Sequence, residues 1–113
     1  MKLINKTKNT VLAEEIIVAQ TIFKRLKGLL GEREFKKDKA LILKPANSIH
    51  TFFMRFPIDV LFVDKNNKIV GLKNKFRPWR ISRIYGQAKF VIELPEGIIF
   101  ESKTEKGDEI ILI

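Results

Sequence analysis

The chain has 113 residues, a length suited to one domain with one hydrophobic core, so we predict a single domain over residues 1–113. Hydrophobic residues make up 45% of the chain and include nine Phe, a composition that argues against disorder. The chain has no cysteine, which excludes disulfides, thiolate nucleophiles and zinc–thiolate sites. The lack of disulfides favours a reducing compartment, and residues 1–10 have no apolar signal-peptide core. We therefore expect a cytoplasmic protein.

The formal net charge is +9, and this charge is unevenly distributed along the chain. Residues 65–89 contain eight Lys or Arg and no acidic residue, whereas residues 91–113 contain two basic and six acidic residues. A positive field of this kind favours anionic partners, although a solvated basic surface explains it as simply. No apolar run is long enough to span a membrane, so we expect no membrane span.

The first third of the chain predicts strands followed by one helix. Residues 10–19 are rich in Val, Ile and Leu but are interrupted by two Glu, which indicates two short strands or one strand with a bulge. Thr21 can cap a helix that Gly31 ends. Between them, apolar residues recur at helical spacing, so we predict one short helix near residues 21–30: Ile22, Phe23, Leu26, Leu29 and Leu30.

The remainder of the chain predicts short strands separated by turns. Asn66 and Asn67 tolerate positive φ angles and predict a two-residue hairpin turn. A second turn is expected at residues 95–97, and residues 73–86 are basic and irregular. We predict strands at residues 40–43, 58–63, 69–72, 89–94 and 109–113, with an extended segment at 48–56. The expected fold is therefore mainly β (α+β by content), a small β-sandwich or partly open barrel with one short helix.

The densest group of candidate functional residues lies in residues 47–64. Its order, Ser48-x-His50-Thr51-x-x-Met54-x-x-Pro57-Ile58-Asp59-Val60-x-Phe62-x-Asp64, resembles the family called domain of unknown function 192. The runs Gly28-Leu29-Leu30-Gly31, Pro78-Trp79 and Glu93-Leu94-Pro95-x-Gly97 are similar to further landmarks of that family. The resemblance covers nearly the whole chain. It implies a small β-dominated domain with one helix, and it implies no function.

Metal binding and catalysis find little support in these residues. His50, Asp59 and Asp64 are possible metal ligands, but the two aspartates are five residues apart and lie on opposite faces of a regular strand. Ser48 and His50 share a strand face, a poor arrangement for proton transfer. The chain also lacks a nucleophile elbow and a phosphate-binding loop. We predict no metal site and no cofactor, and these residues favour a non-enzymatic role over catalysis.

A polar pair built on Asp59 is the stronger hypothesis. Asp59 lies in an apolar strand, where an ionised carboxylate needs a partner. We expect Asp59 to be buried and hydrogen-bonded to a group in residues 48–55, foremost His50 or Thr51. In that extended segment, His50 and Met54 should line one face and Thr51 the other. The pair would be a structural pin or the polar floor of a pocket lined by Phe and Met.

The segment of residues 76–85 interleaves aromatic residues with Arg. Rings beside guanidinium groups suit single-stranded nucleic acid or a phosphate-bearing ligand, although packing of Trp79 onto the core is the simpler expectation. We favour a non-enzymatic module that binds a small or anionic ligand near the His50–Asp59 segment. A nucleic-acid-associated basic protein is the alternative, on charge alone, and an uncharacterised enzyme is third. The candidate ligand-binding residues are His50, Thr51, Met54, Asp59, Trp79 and Arg80.

Overall fold

The computed structural model describes residues 1–19 and 35–113, and this part of the chain contains eight strands and one short helix. The helix expected at residues 21–30 lies outside the described residues. The helix that is described, α1 (Ile98–Glu101), follows the turn expected at residues 95–97. The strands are β1 (Leu3–Asn5), β2 (Thr10–Ala13), β3 (Glu15–Ala19), β4 (Lys39–Leu43), β5 (Ile58–Asp64), β6 (Ile69–Phe76), β7 (Ala88–Pro95) and β8 (Ile110–Leu112).

The strands form two sheets, and the expectation of a mainly β sandwich is confirmed. The smaller sheet has the order β2-β1-β8 and is antiparallel. The larger sheet has the order β3-β4-β7-β5-β6, in which β3 pairs parallel with β4 and the other pairs are antiparallel. The two sheets pack together over one apolar cluster, to which both contribute.

The larger sheet is covered on both faces, which explains the continuous apolar run in β5. Leu61 and Val63 belong to the cluster shared with the smaller sheet. Ile58, Val60 and Phe62 belong to a second cluster on the opposite face. Because side chains alternate along a strand, covering both faces requires apolar residues at successive positions.

The second cluster is completed by segments outside the sheets. Ile49, Met54 and Tyr85 are buried in it. The Tyr85 ring stacks on Phe62, with centroids 4.0 Å apart and 22° between the planes. The ring also lies so close to Gly71 that a β-carbon there would overlap it, so the close approach requires glycine at this position.

Residues 1–19 differ from expectation in two ways. The apolar run at 10–19 forms two strands, as one of our alternatives proposed, and these strands belong to different sheets. β1 was not predicted, because residues 1–10 are mostly polar. Its Leu3 packs in the core. Its Asn5 is also buried, and the side-chain amide of Asn5 donates to the Thr104 hydroxyl at 3.0 Å and to Asp108 Oδ2 at 2.9 Å.

Asp108 is the centre of a polar cluster that ties the smaller sheet to residues 104–108. Its carboxylate accepts from Asn5, from Lys8 Nζ at 2.9 Å and from the Glu105 N–H at 2.9 Å. Burial alone would raise the pKa of Asp108, but these donors and the Lys8 charge outweigh it and hold the pKa below the usual value of 3.8.

We expect this cluster to make stability depend on acid pH. Because the pKa of Asp108 is lower in the folded chain than in the unfolded chain, its contribution is fully present above about pH 4 and is lost as pH falls through the folded-state pKa. Asp108→Asn should lower the free energy of unfolding at pH 6 by about 1–3 kcal/mol. It should also flatten the loss on acidification, measured by urea denaturation at pH 6 and pH 3. The exposed Glu96→Gln is the control, and an unchanged acid slope in Asp108→Asn would contradict the assignment.

The hairpin between β5 and β6 forms where we expected it, but its loop has three residues and not two. The Asp64 N–H donates to the Lys68 carbonyl at 2.9 Å, and the Asn67 N–H donates to the Asp64 carbonyl at 3.1 Å. The Asp64 carboxylate accepts from the N–H groups of Asn66 and Lys68. Asn67 has a φ of 62°, the left-handed conformation that closes such a loop.

Substitution of Asn67 tests this loop. Asn67→Gly should leave the free energy of unfolding unchanged or raise it, because glycine adopts a positive φ without steric cost. Asn67→Ala is the matched control and should lower it by about 1 kcal/mol, because alanine lacks the short polar side chain that lets asparagine adopt the left-handed conformation at low cost. Urea denaturation measures both variants. A glycine variant less stable than the alanine variant would show that the turn is assigned wrongly.

Candidate functional site

Asp59 is fully buried, as predicted, but its partners are not those we expected. Its Oδ1 accepts from the Lys75 N–H at 2.9 Å. Its Oδ2 accepts from the N–H groups of Gly97 at 3.1 Å and Ile99 at 2.9 Å. The prediction that Asp59 pairs with His50 or Thr51 is therefore wrong.

The alternation of side chains along β5 explains the difference. Asp59 shares a strand face with Leu61 and Val63, which pack toward the smaller sheet. Residues 49 and 54 pack on the opposite face. The Asp59 carboxylate instead meets the first turn of α1, where Gly97 provides no side chain to cap the helix. Its role is a structural pin that joins β5, β6 and α1.

Substitution of Asp59 should therefore affect stability and not the exposed surfaces. Both Asp59→Asn and Asp59→Ala should lower the free energy of unfolding by about 1–3 kcal/mol, because each leaves buried N–H groups without an acceptor. Denaturation followed by circular dichroism measures the loss, with the exposed Asp38→Asn as the control. An Asp59→Asn protein as stable as the unmodified protein would contradict a structural role.

Thr51 is also fully buried, and it joins two loops. Its N–H donates to the Arg80 carbonyl at 2.8 Å, and its carbonyl accepts from the Trp79 N–H at 2.9 Å. Its hydroxyl donates to the Arg77 carbonyl at 2.6 Å and accepts from the Arg80 N–H at 2.9 Å. Each polar atom of Thr51 is thus engaged, which fixes the backbone of residues 77–80.

Three further contacts extend this pairing along the two loops. The Ser82 N–H donates to the Ile49 carbonyl at 2.8 Å, and Ser82 Oγ accepts from the Ile49 N–H at 2.9 Å. An isolated bridge joins His50 to Ile81. Residues 47–54 and 77–85, here called the paired loops, therefore form one unit over the larger sheet. The regular extended strand expected at 48–56 is not present, and the expected alternation fails because Thr51 and Met54 are both buried.

The outer side of the paired loops carries a row of rings, here called the aromatic surface: His50, Phe52, Trp79 and Phe53. Their neighbouring ring centroids are 4.9, 6.1 and 4.8 Å apart in that order. Phe53 is 60% exposed and Trp79 is 55% exposed. The expectation that Trp79 simply packs onto the core is therefore wrong. Two large apolar side chains lie in solvent, on loops whose backbone is held by hydrogen bonds.

Both exposed rings belong to residues with an unfavourable backbone conformation. Phe53 has a φ of 68° and Trp79 a φ of 62°. For bulky side chains the left-handed region is uncommon and costs of the order of 1–3 kcal/mol per residue. The contacts of Thr51 to Trp79 and Arg80 maintain this conformation. Backbone strain of this kind concentrates at functional sites, which favours a functional role for the aromatic surface.

Arg77 and Arg80 flank Trp79 in the sequence, and Arg80 Nη1 donates to the Trp79 carbonyl at 3.4 Å. Both side chains are exposed. Within residues 1–19 and 35–113, neither arginine forms an ion pair with a carboxylate. Their guanidinium groups are therefore available to a ligand that bears negative charge.

The six predicted site residues separate into three groups. His50, Trp79 and Arg80 come together at the aromatic surface, and Thr51 supports them from beneath. Met54 is buried in the core cluster under the paired loops, and Asp59 lies on the far face of the sheet. Sequence reasoning missed Phe53 and Arg77 as site residues. The interleaving of aromatic residues with Arg in residues 76–85 was a signal for Arg77, whereas no pattern singled out Phe53.

Two further features concern the described residues alone. Among residues 1–19 and 35–113, no three His, Asp or Glu side chains converge as metal ligands. In the same part of the chain, no helix has the length and apolar character needed to cross a bilayer.

Comparison with known proteins identifies the family. A family model described as DUF192, uncharacterized ACR, matches residues 3–112. A UPF0127 protein of Thermococcus sibiricus is 42% identical over 112 residues, which cover 96% of this chain and 72% of that protein. A UPF0127 protein of Pyrococcus horikoshii is 36% identical over 115 residues, which cover 96% of each chain.

A solved structure supports the fold. A protein of unknown function from Novosphingobium aromaticivorans superposes with a TM-score of 0.82 at 18% identity, covering 99% of this chain and 84% of that one. A structure at this level of identity supports the fold alone, whereas the family model and the two sequence relatives support common descent. The resemblance drawn from the His50–Asp64 motif is thereby confirmed, and this chain belongs to the DUF192 family, the family of the UPF0127 proteins.

Proposed function

We propose that this protein is a non-enzymatic binding module whose aromatic surface takes a small anionic ligand with a flat ring. One observation carries the proposal. Phe53 and Trp79 are exposed, both have left-handed backbone conformations, and their ring centroids lie 4.8 Å apart. Arg77 and Arg80 flank Trp79 in the sequence, and both are exposed. An exposed ring pair with a strained backbone does not contribute to the core, so we infer that it contacts a binding partner.

The side chains of this surface supply two complementary interactions. An aromatic ring offers its face to a planar ligand, and stacking of one base on such a ring contributes about 1–3 kcal/mol. Arg77 and Arg80 offer planar guanidinium groups, which bind phosphate or carboxylate through paired hydrogen bonds. The Thr51 contacts hold the backbone of Trp79 and Arg80 before any ligand arrives, which reduces the entropy lost on binding.

The surroundings of the surface favour binding over catalysis. His50 is its one titratable ring, and its Nδ1 accepts from the Phe52 N–H at 3.3 Å. Asp59, the carboxylate we had expected beside it, is engaged by three backbone N–H groups on the other side of the sheet. Asp59 is therefore not the carboxylate of a general acid–base pair with His50, which favours binding.

Single-stranded nucleic acid is the second candidate, because it is the polymeric form of the same chemistry. Residues 65–89 contain eight Lys or Arg and no acidic residue. Trp79 of the aromatic surface lies in this segment, and hydrogen bonds between the paired loops join it to the loop that carries the other three rings. A polymer would use these charges together, and its affinity would fall steeply with salt.

Trp79 is the only tryptophan, so its fluorescence reports on the aromatic surface directly. We expect uridine monophosphate to quench it saturably at low salt. Phe53→Ala and Arg80→Gln should each weaken that binding about tenfold, which corresponds to about 1.4 kcal/mol. The matched controls are Phe100→Ala, whose ring is 85% exposed on α1, and Lys103→Gln, an exposed cation just after α1.

A decameric oligouridine titrated in parallel separates the two candidates. Binding of the decamer alone, with a steep salt dependence that Arg77→Gln reduces, would replace the small-ligand proposal with the nucleic-acid proposal. Quenching by neither probe at low salt would contradict both. Equal effects of Phe53→Ala and Phe100→Ala would contradict a role for the aromatic surface.

A further inference from the structure

A cleft of about 640 Å³ is lined by Tyr85 and by none of the four rings of the aromatic surface. One wall is the outer edge of β6, at Ile69 and Val70. The other walls come from residues 83–87 and from Lys106 and Gly107. A neighbouring cleft of about 480 Å³ shares Val70, Arg83, Tyr85 and Lys106 with it, so the two are adjoining parts of one depression. Its volume is in the range of pockets for small organic ligands.

The charges that line the larger part of this cleft are all positive, whereas the smaller part is also lined by Glu105, which is paired with Lys8 at 2.9 Å. Lys68, Arg83 and Lys106 line the larger part, from three segments well separated in the sequence, and no carboxylate lines it. Within residues 1–19 and 35–113, neither Arg83 nor Lys106 forms an ion pair with a carboxylate. Lys68 has one to Glu109 at 3.3 Å, and because that lysine is 47% exposed the pair contributes little and can open.

Arg83 is held in a defined position by Tyr85. Its guanidinium carbon lies 4.0 Å from the centroid of the Tyr85 ring, and its Nη1 donates to the Ile84 carbonyl at 3.3 Å. A guanidinium stacked on a ring keeps its edge free for hydrogen bonds in the plane. The ring itself is 8% exposed and stacks on Phe62, so the platform beneath Arg83 is fixed by the core.

The opposite wall is held by backbone hydrogen bonds. The Gly107 N–H donates to the Ile69 carbonyl at 2.8 Å, and the Ile69 N–H donates to the Asp108 carbonyl at 2.9 Å. The Asp108 carboxylate is in turn fixed by Asn5 and Lys8. Lys106 thus lies in a loop that is anchored on both sides. This favours binding, because the loop loses little conformational entropy when a ligand binds.

We propose that this cleft is a second binding site, for a small multivalent anion such as an organic phosphate or a polycarboxylate. Three cations converge on the larger part of the cleft, which no carboxylate lines, and Gln87 adds an amide that can donate to an anion. The site is independent of the aromatic surface, and its ligand needs no ring. Phosphate and carboxylate share the chemistry that the cleft recognises, so the experiment separates them.

Inorganic pyrophosphate and citrate, each titrated by calorimetry at low ionic strength, test the site. We expect at least one of them to bind, and the one that binds more tightly identifies the anion class. In amide NMR spectra of the labelled protein, the shifts of Gly86, Gln87 and Gly107 should move with the titration. Those of Phe53 and Trp79 should not move, which separates this site from the aromatic surface.

Charge-removing variants assign the binding to the cleft. Lys106→Gln and Arg83→Gln should each weaken the affinity about tenfold. Lys36→Gln, an exposed lysine without an ion pair among the described residues, should leave it unchanged. No binding of either anion would overturn the proposal, and so would variants that behave like the control. Either result leaves the quenching of Trp79 by uridine monophosphate as a separate question.

Discussion

Burial of the larger sheet on both faces determines where the rest of the chain can lie. One face is covered by the smaller sheet, and the other has to be covered by loops, because no further described strand pairs there. Residues 47–54 and 77–85 do this with Ile49, Met54 and Tyr85 turned inward. Once those positions face the core, the intervening Phe53 and Trp79 are left in solvent. The aromatic surface is thus a consequence of how the sheet is covered, and strain at two backbone positions fixes its final shape.

A buried polar side chain on each face of this sheet is satisfied by backbone groups and not by an opposite charge. Asp59 accepts three N–H groups, and Thr51 exchanges hydrogen bonds with the main chain of residues 77–80. Backbone donors stabilise a buried carboxylate without burying a cation, which avoids a second desolvation cost. No arginine is therefore needed to pair with Asp59 inside the fold. The exposed arginines remain available at the surface, in a chain with 22 basic and 13 acidic residues.

The sequence predicted those features that depend on local patterns. Apolar runs located five strands, and the tolerance of Asn67 for positive φ located the hairpin. The partners of Asp59 could not be predicted, because the N–H groups of Lys75, Gly97 and Ile99 carry no side-chain signature. The exposure of Phe53 was equally hidden, since phenylalanine is usually a core residue and only tertiary packing decides which one is excluded. β1 escaped notice because Asn5 is polar, and its burial depends on Thr104 and Asp108, about a hundred residues away.

The distribution of arginine within the basic segment gives the charge a structural meaning. Of the eight cations in residues 65–89, three are arginines, and all three lie in residues 77–83, whereas the lysines lie elsewhere in the segment. In residues 77–85 the N–H groups of Trp79, Ser82 and Tyr85 donate inward to the partner loop. Arg77 and Arg80 are left exposed beside Trp79, and Arg83 lies on the Tyr85 ring. Because a guanidinium stacks on rings and a lysine ammonium does not present the same planar face, this placement is not what a merely solubilising charge requires. One short segment thus contributes arginines to two separate surfaces, each with its own ring.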